Sequence, residues 1–274
     1  MNIYKIKCTV GILTFNSGAT IKAALESVKN FSEIIICDGG STDETLSLAR
    51  AYGAKVIVQA PEFKGEGNKV IDFSGVRNQM LSAASNPWFF YLDSDELITP
   101  ALADEIDSII SSGNPPAAFW VPRKYTLGGE IVNCAATYPA KQMRFFHRSA
   151  VSRFIKTIHE RIDVRQGVPV LTLHNFMLVP FNPDPAFHRT KWSHYIELEA
   201  SRRGGISVGG WLLVCAENFK ISALYAFRSV RNLFFCRGKH LPWRLEWERH
   251  MYHINICRRF WKLVWKSKQD RSSR

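Results

Sequence analysis

The 274-residue chain contains no CxxC pair; its six cysteines stand singly at positions 8, 37, 134, 215, 236 and 257. That scatter argues against a disulfide scaffold and a structural zinc site, and points to a reducing compartment. Long apolar runs are missing too. The longest tempting piece, Trp211 to Ala216, is a third of the roughly 18 residues a spanning helix needs. The N-terminus, MNIYKIKCTVGILTFN, lacks the apolar run and cleavage site of a signal peptide and reads as a strand, so export by that route is not expected. There is no internal repeat and no low-complexity tract. At 46% hydrophobic and 22% charged, the composition excludes wholesale disorder.

Acidic residues are scarce in the back half. Residues 121–274 hold 27 Lys+Arg against 10 Asp+Glu, a net of +17, whereas residues 1–120 hold 9 against 14, a net of −5. The basic half calls for an anionic partner.

Periodicity predicts alternating strands and helices over the first 125 residues. Strands are expected at 7–14, 33–38, 55–59, 88–92 and 118–124, and helices at 19–30, from Ser41 or Thr42 to Tyr52, at 74–84 and at 99–111. Such alternation implies an α/β fold with a doubly wound, mostly parallel sheet. Ligands bind such sheets outside the carboxyl ends of the strands, and the polar residues gather there: Thr14-Phe15-Asn16, Asp38 and Asp93-Ser94-Asp95. After residue 125, short strands are expected at 143–146 and 168–173, a Pro-rich loop at 176–187 and a helix at 188–203. Basic, aromatic-rich helices follow from 206.

Asp93-Ser94-Asp95-Glu96 closes the apolar run Trp88-Phe89-Phe90-Tyr91-Leu92. Two carboxylates one residue apart can hold a hard divalent cation and leave its other positions to water and phosphate oxygens. The plain alternative is a solvated acidic loop capping the next helix. Asp38, after Ile34-Ile35-Ile36-Cys37, is either part of a turn or an acceptor for the N3–H of a uracil base.

Together Leu13-Thr14-Phe15-Asn16, Asp38-Gly-Gly-Ser-Thr-Asp43, Arg77-Asn78, Asp93-Ser-Asp95-Glu96, Met143-Arg144-Phe145-Phe146 and Ile158-His159-Glu160 resemble the family 2 inverting glycosyltransferases of GT-A fold. The likeness is greatest to the β-glucosyltransferases of the lipopolysaccharide core, and covers about residues 5–200. It implies that Thr14, Asn16 and Asp38 line the base and ribose pocket of a nucleotide sugar. Arg77 meets the diphosphate. Asp95, with Asp93 directly or through water, holds Mg²⁺ or Mn²⁺. Glu160 is the general base, and His159 touches the metal or a phosphate. The donor implied is UDP-glucose, and the acceptor a lipopolysaccharide-core or other lipid-linked glycan. Gly39, where many members carry an acidic residue or Ser, and a long loop at 61–73 depart from the pattern.

The reaction itself requires these parts, since direct displacement at an anomeric carbon needs a base for the acceptor proton and a cation for the departing diphosphate. The residues alone leave Glu160 open between that base and a surface ion pair with Arg161 or Arg165. His188 and His194, six apart, do not share a helix face and read as packing or surface residues. Cys215, Cys236 and Cys257 read as small apolar helix residues. The competing functions are a nucleotidyltransferase and a non-catalytic nucleotide-sugar-binding protein. The former lacks its Gly-rich basic loop after the first strand.

Residues 206–274 carry 14 Lys+Arg, 4 Asp+Glu and 12 aromatics. Trp243, Trp247, Met251, Ile254, Trp261 and Trp265 fall on one helical face. This suits an interfacial helix on an anionic bilayer; packing against the catalytic domain or a second subunit is the alternative. The expected domains are therefore 1–205, a catalytic domain with a nucleotide-sugar half (1–125) and an acceptor half (126–205), and a helical extension, 206–274. The expected location is the cytoplasmic face of the inner membrane, held peripherally, with no nucleic-acid partner.

Overall fold

The computed structural model describes residues 4–65, 70–156, 161–203 and 205–272. Strands β1 (Ile6–Thr14), β2 (Phe31–Asp38), β3 (Lys55–Val58) and β4 (Trp88–Asp93) run parallel, in the order β3-β2-β1-β4. Helices α1 (Gly18–Val28), α2 (Thr45–Ala51) and α3 (Phe73–Ala83) make the crossovers. Next come β5 (Leu97–Ile98), α4 (Pro100–Ser111), β6 (Ala118–Leu127), β7 (Glu130–Ile131) and β8 (Ala140–His147). Strand β8 lies antiparallel between β4 and β6. Strands β9 (Val151–Ile155) and β10 (Arg161–Val164) form a separate antiparallel pair. Strand β11 (Val170–Thr172) joins β6 in parallel, and β12 (Met177–Pro180) pairs antiparallel with β5. The doubly wound, mostly parallel sheet implied by the alternation and by the family resemblance is therefore present.

Strand β4 shows why the sheet forms. Phe89 and Tyr91 face Val76 and Met80 of α3, while Phe90 and Leu92 face the side of α1 and α4 with Ile21, Leu25, Leu102 and Ile106. All five residues from Trp88 to Leu92 are buried. Each contributes about 1.5–3 kcal/mol of transfer free energy, which holds the acidic tip that follows at a fixed height. Helix α3 starts where Asp72 accepts from the Gly75 N–H at 3.0 Å. A Cβ at Gly75 would lie 2.4 Å from the Phe63 ring, so only glycine lets that ring close over the helix start.

The chain makes two compact units, residues 1–124 with 139–180, and 125–138 with 181–274. The expected division at 205 does not fall between them. In the second unit, helix α5 (Pro185–Arg203) packs through Ile196 and Ala200 on Ile256 and Phe260 of α7 (Trp243–Ser272). Arg259 donates to Glu197 at 2.7 Å. The 125–138 segment packs Leu127, Val132 and Ala135 on Leu241 and Leu245. Helix α6 (Val208–Phe235) lies beside α7.

Two further expectations are corrected. Cys134 and Cys236 form a disulfide, with Cα atoms 6.0 Å apart across 102 residues; spacing along the chain could not reveal an approach made by the fold. Residues 176–187, expected as a loop, contain β12 and the start of α5. Its place between β6 and β5 creates that strand, against its local Pro content.

On α7 the face with Leu245, Ile256, Phe260 and Val264 is buried. The opposite tryptophans stay open: Trp243 is 63% exposed, Trp247 48% and Trp265 57%. Helix α6 also exposes Leu212, Leu213, Phe219, Phe227, Leu233, Phe234 and Phe235. Among the described residues, no helix is long and apolar enough to cross a membrane.

Candidate active site

Sheet register brings three polar tips together. Thr14 at the end of β1 is level with Asp38 of β2, and Leu13 is level with Asp93 of β4. Neighbouring strands lie about 4.8 Å apart, so the three ends form one edge at the carboxyl side of the sheet.

At the β2 tip, Asp38 is buried and its carboxylate is fully used. One oxygen accepts from Thr14 Oγ1 (2.8 Å) and Ser41 Oγ (2.6 Å), the other from the N–H groups of Gly40 (2.8 Å) and Ser41 (2.7 Å). A carboxylate has about four acceptor positions, so none is left for a base N–H. Burial pushes the Asp38 carboxyl up, but bonds from Ser41, Thr14 and Gly40 outweigh it and hold it below the usual range. Its part is to shape the turn. Asn16, at φ 48°, holds the same turn by accepting from the Thr42 N–H at 2.9 Å. Asp43 ties two helix starts together, accepting from Gly18 N–H (2.8 Å) and Thr45 N–H (3.0 Å). Thr14, Asn16 and Asp38 are thus gathered as expected, but as builders of the loop.

The β4 tip is an ion network. Asp93 accepts from Arg77 Nη2 at 3.1 Å and Arg144 Nη2 at 3.0 Å. Arg144 also meets Glu96 at 2.9 Å, and Arg123 meets Glu96 at 2.8 Å. Both the Arg77 and Arg144 guanidinium carbons lie 4.2 Å from the centre of the Tyr91 ring, a cation–π geometry. Burial pushes the Asp93 carboxyl up, yet Arg144 and Arg77 hold it well below the carboxylate range. Glu96 is pushed up by burial, against Arg144. Arg77 is 4% exposed and meets Asp93 and the Tyr91 ring, so it helps to hold the acidic tip.

Arg144 reaches this position through a β-bulge. The β6 register passes from Phe119↔Phe145 to Trp120↔Met143, leaving Arg144 opposite no residue. A bulge re-aims a side chain, and here it lays a guanidinium beneath Asp93. The sequence carried a signal, a lone Arg in the apolar run Met143–Phe146, since buried cations need partners. Its partners, 48 and 51 residues away, were not readable from spacing.

Asp95 is exposed. Ser94, between the two aspartates, meets Ser17 Oγ at 2.9 Å, tying the acidic loop to the start of α1. Among the described residues no group of three or more His, Cys, Asp or Glu could enclose a metal. The donor set fits a hard cation held by one or two carboxylates, as Mg²⁺ sites beside phosphates are. Exposed Asp95, and Asp93 clamped by two arginines, are the residues that would hold such a cation, Asp93 directly or through water. His159 and Glu160 lie outside the described residues. Nearby, Asn78 exchanges two hydrogen bonds with the Phe154 backbone (2.9 and 2.7 Å), anchoring β9.

Gln59 and Lys64 escaped the sequence reading. Gln59, 1% exposed, donates to the carbonyls of Thr14 (3.3 Å) and Cys37 (3.2 Å), and its Oε1 has no hydrogen-bond partner among the described residues. Lys64 Nζ donates to the Gly39 carbonyl at 3.0 Å. A Cβ on Gly39 would lie 3.1 Å from the Phe15 ring and 3.3 Å from Gln59 Oε1, so the departure at Gly39 leaves room for this packing.

Residues 9–163, more than half of the chain, match the family described as Glycosyl transferase family 2. An uncharacterized glycosyltransferase of Rickettsia felis is 36% identical over 109 residues, 39% of this chain and 35% of that protein. The lipopolysaccharide core biosynthesis glycosyltransferase LpsC of Rhizobium meliloti is 27% identical over 130 residues, 46% of each chain. This chain thus matches between about a third and a half of the length of these relatives. Among solved structures, S. aureus TarS 1-349 in complex with UDP is 12% identical, with a TM-score of 0.47, covering 96% of this chain and 91% of that one. On the match over residues 9–163 and the motifs it contains, this chain belongs to glycosyl transferase family 2.

Proposed function

We propose that the chain transfers a hexose, glucose from UDP-glucose, to a lipopolysaccharide-core or other lipid-linked acceptor with inversion at the anomeric carbon. One observation carries the reading: at the carboxyl edge of the parallel sheet Arg77 and Arg144 hold the charge of Asp93, and exposed Asp95 follows two residues on. A tip so arranged keeps Asp93 ionised and in place without closing around a cation. A bound Mg²⁺ or Mn²⁺ would offset the charge gathering on the departing diphosphate. The Asp38–Ser41 turn, stiffened from Thr14 and Asn16, forms the neighbouring wall for the nucleoside. Glu160 takes the proton of the acceptor hydroxyl as that oxygen attacks, and His159 contacts the phosphates.

The second unit gives the enzyme its place of work, peripheral on the cytoplasmic face of the inner membrane. The support is the exposed Trp243, Trp247 and Trp265 on a segment of net charge +10 (14 − 4), since apolar insertion and cation attraction to anionic lipid reinforce each other. The test is incubation with UDP-glucose, Mn²⁺ and a lipid-borne glycan acceptor. Release of UDP with inversion in the product supports the reading. Pyrophosphate release indicates a nucleotidyltransferase, and binding without turnover a non-catalytic protein; either overturns it.

A further inference from the structure

Between α6 and α7 lies a cavity of 640 Å³, within the range of about 300–1,000 Å³ typical of small-molecule sites. The helices run antiparallel along it. Ser222 Oγ meets His250 Nδ1 at 2.6 Å, Asn218 Oδ1 meets His253 Nδ1 at 2.8 Å, and Trp211 Nε1 donates to the Cys257 carbonyl at 3.0 Å. Trp211, Cys215 and Phe219 wall one side, and Ile254, Cys257 and Trp261 the other. The Trp211 and Trp261 rings lie 4.5 Å apart.

Those polar atoms are spent within the helix pair, and Asn218 Nδ2 also donates to the Val214 carbonyl at 2.8 Å. The six wall residues offer a guest mainly carbon and sulfur, with the Trp261 indole N–H and the His253 ring as polar points among them. From Trp211 to Ser222 the groove follows eleven residues of helix, about 16 Å at 1.5 Å per residue. One leaflet of a bilayer, half of its roughly 30 Å hydrocarbon core, is about 15 Å deep. Phe219, a wall residue, is 76% exposed, so the groove opens to the surface. Exposed Arg258 lines it as well.

We infer that this groove takes up one hydrocarbon chain of an anionic lipid, with Arg258 meeting the headgroup phosphate. The length of the groove, its mainly apolar walls and its cation agree on that chemistry. A second copy of this chain fits less well, because it would bring another segment of net charge +10 against the first. The inference rests on the membrane reading above and narrows it from adsorption at a surface to capture of a single chain.

The thiols of the groove provide the readout in the intact protein. Cys215 and Cys257 are partly exposed, whereas Cys8 and Cys37 are completely buried and Cys134 and Cys236 are joined to each other. Alkylation of the native chain therefore reports on the groove. Lysophosphatidylglycerol below its micelle concentration is expected to slow alkylation of both thiols at least ten-fold. Lysophosphatidylcholine of equal chain length should require about five-fold more lipid, the value of one near-surface cation. Arg258→Glu should abolish that preference while leaving protection by the zwitterionic lipid. Cys215→Trp, which fills the groove, should leave Cys257 alkylation indifferent to lipid; if that variant loses its helices by circular dichroism, the surface variant Arg258→Glu decides alone. Co-sedimentation with phosphatidylglycerol vesicles is measured in parallel. Vesicle binding without thiol protection overturns the groove and keeps the membrane reading, and protection without vesicle binding does the opposite. Protection that grows with protein concentration in the absence of lipid assigns the groove to a second copy and overturns the inference.

Discussion

Arg144 reaches Asp93 from a β-bulge, its Nη2 3.0 Å from Asp93 Oδ2, and the same nitrogen meets Glu96 at 2.9 Å. One buried cation thus joins the first aspartate of the acidic tip to the glutamate three residues on. Arg144→Met would leave buried Glu96 and half-buried Asp93 each short of a partner. Breaking a fully buried pair costs about 3–5 kcal/mol, and the loss here should be smaller, because Glu96 keeps Arg123 and Asp93 is partly solvated. The urea midpoint should fall accordingly, and Arg144→Lys, which keeps the charge but loses the planar fork, should fall less. A midpoint unchanged in Arg144→Met would remove Arg144 from this role.

The two aspartates of the tip should separate in their effects. Asp95 is exposed, so Asp95→Ala should leave the fold intact while abolishing turnover and metal-dependent UDP binding. Asp93→Ala should also destabilise the fold, because Arg77 and Arg144 lose their shared partner. Thermal melts together with UDP titrations in Mn²⁺ and in chelator check both. Full activity of Asp95→Ala, or of the wild type in excess chelator, contradicts the metal assignment.

Glu160→Gln preserves shape and removes basicity. Turnover should drop by about 10²–10⁴-fold, the usual contribution of general-base catalysis, with UDP-glucose binding little changed. Activity retained within a few-fold would move the base to another carboxylate, with Asp163 the first to try.

Reduction should weaken the second unit. Cys134 and Cys236 close a loop across 102 residues, and a cross-link of that span contributes about 2–5 kcal/mol. Cys134→Ser should lower the melting temperature to that of the reduced wild type. Alkylation of oxidised, unfolded protein should count four thiols (Cys8, Cys37, Cys215 and Cys257), and six would show the pair unjoined.

The second unit should also lose stability in mild acid. Burial pushes the His188, His250 and His253 imidazoles below their usual value. The unfolded chain, with histidines near 6.5, then binds more protons than the folded one as pH falls, so stability rises with pH through that window. It is complete above about pH 6.5 and is lost on acidification toward the lowered folded values. Melting temperatures between pH 7.5 and 5.5 should decline, and His253→Gln should flatten the decline. A flat wild-type profile would count against this.

Much of the first unit was legible in the sequence, because its signals are local. A strand with period two and a helix with period 3.6 mark themselves within a dozen residues, and Asp38 and Asp93 each follow an apolar run that had to be a buried strand. The exposed tryptophans of α7 were likewise readable as one face of a helix. Short strands were not. Leu97–Ile98 exists because it pairs with Met177–Pro180, which also lies beside β6, and neither has a pattern of its own.

By itself, the sequence determined the α/β alternation, the acidic tips at the carboxyl edge and the basic, Trp-rich second half, all of which follow from the order of neighbouring residues. Only the tertiary structure decided that Asp38 spends its acceptors on its own turn, that Arg77 and Arg144 converge on Asp93, and that Cys134 finds Cys236. Charge pairing and disulfide bonding act over a few ångströms of space, and residues separated by dozens of positions reach that range only once the sheet register, the bulge at Arg144 and the helix packing have placed them.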